Sequence, residues 1–89
     1  MGSKGIPGSA ERETLVQRRV GEITRNAKAL MLLGHNHEAE LLCLSAIEIR
    51  DKVPETWLVL AASLENQGKQ QEAIDAYRYL IYPVNWGEM

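Results

Sequence analysis

From Val16 onward apolar residues recur as Val20, Ile23, Ala27 and Leu30, in steps of 4, 3, 4 and 3 that draw one stripe along a helix. Gly34 ends this helix, because glycine adopts the left-handed conformation of a C-terminal cap without strain. A second helix is predicted from about Asn36 to Arg50, with Ala39, Leu42, Cys43, Ala46 and Ile49 as its inward face. Asp51-Lys52-Val53-Pro54 breaks the pattern, and Pro54 suits the first turn of a third helix. Trp57, Leu60, Ala61 and Leu64 form that helix's stripe and Gly68 closes it. A fourth helix is predicted from about Lys69 to Tyr82, stopping at Pro83. The chain reads as all-α.

The two halves repeat each other. Gly34, Glu38 and Ala39 return as Gly68, Glu72 and Ala73, each 34 residues later. The same shift lays Ala27 on Ala61, Leu30 on Leu64 and Ile47 on Ile81. It also keeps apolar character from Ile23 to Trp57 and from Cys43 to Tyr77. The six identities fall at packing positions, so each unit is a helix, a tight turn and a helix.

Length and charge narrow the partners. Eighty-nine residues allow one domain, and 45% hydrophobic residues make it globular in composition. A net charge of −2 supplies no broad basic field for nucleic acid. Cys43 is the only cysteine, which excludes an internal disulfide or a cysteine-rich zinc site and fits a reducing compartment. No apolar run approaches the roughly 18 residues of a membrane span, so no membrane insertion is expected. Residues 1–9 read as a flexible leader. Residues 10–87 form the single domain, with repeat one over about 20–53 and repeat two over about 54–87.

The spacing of Trp57, Leu60, Ala61, Leu64, Gly68, Ala73 and Tyr77 resembles the tetratricopeptide family. That resemblance implies two helix-turn-helix hairpins of a right-handed α-solenoid, with an extended N-terminal helix. Gly34, His37, Glu38, Ala39 and Cys43, followed by Leu60, Ser63, Leu64, Asn66 and Gly68, are similar to a narrower group. These are the tetratricopeptide-like chaperones of type III secretion needle subunits. The resemblance implies a cytoplasmic bacterial chaperone that, with a small helical co-chaperone, holds the needle subunit's amphipathic helix and prevents premature polymerisation. The chain would then work as part of a hetero-oligomer.

By the repeat register, the face that the first helix of each unit presents to a groove comprises Thr24, Lys28, Met31 and Leu32, then Leu58, Ala62, Glu65 and Asn66. Met31, Leu32, Leu58 and Ala62 would make an apolar floor for an amphipathic helix, with Lys28 as its basic residue. Leu41 and Leu44 point well away from the inward face of their helix, where repeat two carries Asp75 and Arg78. Either a partner covers that pair, or the segment around Leu15 and Val16 does. The apolar run Tyr77, Tyr79, Leu80, Ile81, Tyr82, Val84 and Trp86 is more than so small a core hides easily.

No catalytic constellation is legible. His35 and His37 would point about 200° apart on a helix and lack a second ligand cluster, so no metal or cofactor is expected. Cys43 sits on an inward face, and Glu38 and Glu72 lie where a carboxylate favours the helix dipole. Binding is the expected activity, not catalysis. Beside the chaperone reading stand a generic adaptor that binds a helical peptide and a scaffold that self-associates through Leu41, Leu44 and Trp86.

Overall fold

The computed structural model describes residues 8–81, and they form four helices: α1 (Ser9–Leu32), α2 (Asn36–Ile49), α3 (Pro54–Asn66) and α4 (Gln70–Ile81). Among the described residues there is no strand. The helix expected from Val16 starts earlier, at Ser9, and takes the last residue of the predicted leader. Glu11 supports this start by accepting the Gly8 N–H at 2.8 Å. Pro83 and the apolar residues Tyr82, Val84 and Trp86 lie outside the described residues.

Two turns of one design fold α1 onto α2 and α3 onto α4. Gly34 and Gly68 hold φ of 92° and 82°, the left-handed region that a side chain would strain. In the first turn Gly34 N–H reaches Met31 O at 3.0 Å and His35 N–H reaches Leu30 O at 2.8 Å. In the second, Gly68 N–H reaches Glu65 O and Lys69 N–H reaches Leu64 O, both at 3.0 Å. The 34-residue sequence repeat is thus also a repeat of backbone hydrogen bonding. Each glycine lets the chain reverse while the last carbonyls of the helix stay paired.

Small residues let the helices approach. Ala27, Ala39, Cys43 and Ala46 are fully buried in the first hairpin, as is Ala61 in the second, with Ala73 and Ala76 nearly so. The larger members of the core are Val20, Val59, Leu60 and Leu64. Burying such a side chain contributes roughly 1.5–3 kcal/mol. The core is therefore modest, and close helix packing with well-made polar contacts has to complete it.

Helix α3 is the hub, packing against α1, α2 and α4. This explains why its buried face is wider than one stripe: Thr56, Val59 and Ser63 join Leu60, Ala61 and Leu64. Trp57, expected in the buried stripe, is only half-buried. Its indole N–H donates to Asp51 O at 2.6 Å, and its ring stacks on Tyr79 at 4.0 Å between centroids. In α2, Ile49 is exposed instead of inward, while Ile47 packs against the core. The helix is gripped by α1 on one side and α3 on the other, which turns its buried face toward Glu40 and Ile47 and leaves Ile49 outside.

Candidate functional site

The two hairpins are joined by polar side chains at their turns. Glu40, almost completely buried, accepts Gln67 Nε2 at 2.9 Å and Lys69 Nζ at 3.1 Å. Gln67 Nε2 also donates to Ser63 O at 3.1 Å, and Asn66 Nδ2 donates to Asn36 Oδ1 at 3.0 Å. Burial pushes the Glu40 carboxyl pKa up. The hydrogen bonds from Gln67 and Lys69, with the charges of Lys69 and His37, outweigh this and hold it below its ordinary value. A second buried contact joins α1 to α3, where the Thr24 and Thr56 hydroxyls lie 2.8 Å apart. At the far end of α2, Arg50 pairs with Glu13 of α1.

Beside this junction α1 and the start of α3 enclose an open hollow of about 520 Å³. Arg25, Lys28, Ala29 and Leu32 form its α1 wall, and Val53 and Glu55 stand opposite. Leu32 is 72% exposed, a large apolar surface facing solvent. Arg25 and Lys28 make no ion pair among the described residues. The hollow thus joins an apolar surface at Leu32, Ala29 and Val53 to two cations on one wall and the Glu55 carboxylate on the other.

Thr24 and Met31, both expected on the groove face, are buried and half-buried. Thr24 borders the hollow yet is buried, its hydroxyl 2.8 Å from that of Thr56. Met31 turns inward and packs against the core. Leu58 is exposed and Ala62 half-buried on α3, though neither lines the hollow. Glu65 accepts the Tyr77 hydroxyl at 3.0 Å, and Asn66 belongs to the turn junction. Arg25 was missed. Its signal was the step from Gly21 through Arg25 and Lys28 to Leu32, which runs along one face of the helix.

Leu41 and Leu44 are 51% and 43% exposed, and Leu15 is exposed as well, so the N-terminal segment does not cover them. Leu44 borders a smaller hollow of about 250 Å³ between α2 and α4, with Trp57, Leu60 and Leu64 at its base and Tyr79 at its edge. Cys43 is fully buried, and burial, followed by the nearby Glu40 charge, raises its thiol pKa to about 12. His35 Nδ1 lies 3.5 Å from a Glu38 carboxylate oxygen and His37 Nδ1 lies 3.8 Å from one of Glu40. Among the described residues no helix is long and apolar enough to cross a membrane.

Compared with protein-family models, with curated proteins and with solved structures, the chain matches none.

Proposed function

We propose that this chain is a protein-binding module of tetratricopeptide-like build that takes an amphipathic helix along α1 and α3. The observation that carries the reading is the open hollow whose α1 wall combines the exposed Leu32 with the unpaired Arg25 and Lys28. Leu58 and Ala62 continue an apolar surface on α3, the helix that supplies the opposite wall. An amphipathic helix fits this chemistry: apolar anchors for Leu32 and Leu58, and acidic residues on the flank that meets the cations. The particular cargo we propose is the amphipathic helix of a type III secretion needle subunit, held to prevent premature polymerisation. Leu41 and Leu44 would then receive the small helical co-chaperone.

The test is fluorescence anisotropy with a labelled needle-subunit helix and, beside it, a designed acidic amphipathic helix. Saturable binding of the needle helix is expected. Leu58→Asp should weaken it by roughly tenfold or more, since an apolar anchor contributes about 1.5–3 kcal/mol when fully buried. Binding of the designed helix alone would leave a generic adaptor and remove the needle-subunit reading. Failure of both peptides would overturn the module reading itself.

A further inference from the structure

The 34-residue repeat permits a comparison within the molecule, because each junction position has a counterpart at an end of the chain. The inner junction sets Glu40 of α2 against Gln67 at the end of α3. Shifted by one repeat, Glu40 becomes Ile74 on α4, and Gln67, shifted back, becomes Leu33 at the end of α1. Neither counterpart is covered: Leu33 is 74% exposed and Ile74 is 47% exposed. The hydrogen-bonded pair inside the chain thus corresponds to two uncovered apolar residues, one at each end.

The flanking positions agree. In α3 the residues turned toward the first hairpin include Thr56, Leu60 and Ser63, all buried. Their α1 counterparts Glu22, Asn26 and Ala29 are all exposed, which leaves this face of α1 open to a second copy. On α4, Arg78 replaces Leu44, which lies beside Leu60 in the hollow between α2 and α4. In a repeated junction Arg78 would therefore come beside Asn26, one helical turn from Glu22.

We infer that copies of this chain stack head to tail, with α4 of one copy against α1 of the next and Ile74 packed on Leu33. The occupant is a second copy because both halves of the junction reside on one chain, apolar facing apolar and Arg78 within reach of Glu22. The interface is heterologous, so every copy keeps one open face at each end and the stack can grow.

Sedimentation velocity across a concentration series tests this, with circular dichroism confirming the fold of each variant. The wild-type chain should grow from monomer to dimer and larger species. Leu33→Asp and Ile74→Asp should each weaken association by roughly tenfold or more. A heterologous contact also predicts complementation. The Leu33→Asp chain keeps a good α4 face and the Ile74→Asp chain a good α1 face, so their equimolar mixture should form dimers and stop there. If either variant loses helicity, Leu33→Lys and Ile74→Lys, which set like charges against each other at the two spoiled faces, take their place. A wild-type chain that stays monomeric, variants that associate like wild type, or a mixture that remains monomeric would each overturn the inference. None of these substitutions lies in the hollow, so failure here leaves the helix-binding reading standing, and the reverse holds too.

Discussion

Removing the carboxylate of Glu40 should loosen the joint between the two hairpins, and the size of the effect follows from its contacts. The bond from Gln67 Nε2, at 2.9 Å, is a hydrogen bond to a charged group, for which about 1.5–3 kcal/mol is typical. Lys69 is about one-third exposed (35%), so its pair with Glu40 is screened and adds roughly 1 kcal/mol or less. Gln67 retains Ser63 O at 3.1 Å after the deletion, which keeps its amide from being orphaned. Glu40→Ala should therefore cost about 2–3 kcal/mol. That is a large share of the roughly 5–10 kcal/mol expected for so small a domain. Glu40→Gln, which keeps an acceptor for Gln67 but loses the charge, should cost about 1 kcal/mol. The pH dependence has a definite sign. The folded carboxyl titrates below the unfolded one, which ionises near about 4.3. Its stabilisation is complete above the unfolded value and disappears as pH falls through the lower folded value. Urea unfolding followed by circular dichroism at pH 7 and at pH 3 measures both effects. A Glu40→Ala chain as stable as wild type, or a deficit that does not shrink in acid, would show that the carboxylate does not hold the junction.

Thr24→Val should strand the fully buried Thr56 hydroxyl and cost roughly 1–3 kcal/mol, while Thr24→Val with Thr56→Val should cost less than the two single changes added together. Strict additivity in a double-mutant cycle would mean that the two hydroxyls do not act as a pair. Cys43, with its thiol pKa raised to about 12, should react with a thiol reagent at pH 8 about 100-fold or more slower in the native chain than in urea. Comparable rates would place that thiol at the surface.

The elements were legible because their signals are local. Two glycines with positive φ, a proline at the start of α3 and apolar residues at helical spacing mark all four helices, with boundaries in error by a residue or so apart from the earlier start of α1. The faces were harder to read, since a face depends on how many neighbours a helix has. One stripe was expected on α3, yet contact with three other helices buries Thr56 and Ser63 as well. Periodicity places Thr24 and Met31 beside Lys28; in the fold Thr24 borders the hollow but is buried against Thr56, and Met31 packs on the core. The Glu40 junction had no signal in a single repeat. A glutamate in the first turns of a surface helix is ordinarily solvated, and only the close approach of the second turn gives it partners.

At two repeat positions the polarity runs opposite to what a pair of hairpins surrounded by water requires. A domain that ends in water places apolar residues at its inner junction and polar residues at its ends, as terminal capping repeats do. Here the inner positions are Glu40 and Gln67, and the outer ones are Ile74 and Leu33. The inner pair loses little by being polar, because each member is hydrogen-bonded and the bond favours one alignment of the hairpins over its neighbours. The outer pair gains nothing from water and becomes favourable only when covered. Leucine and isoleucine left exposed at these two positions would favour nonspecific association unless covered. Leu33 and Ile74 are the apolar residues that the proposed stacking would cover, and the polar junction between the hairpins supplies the alignment such a stack would copy.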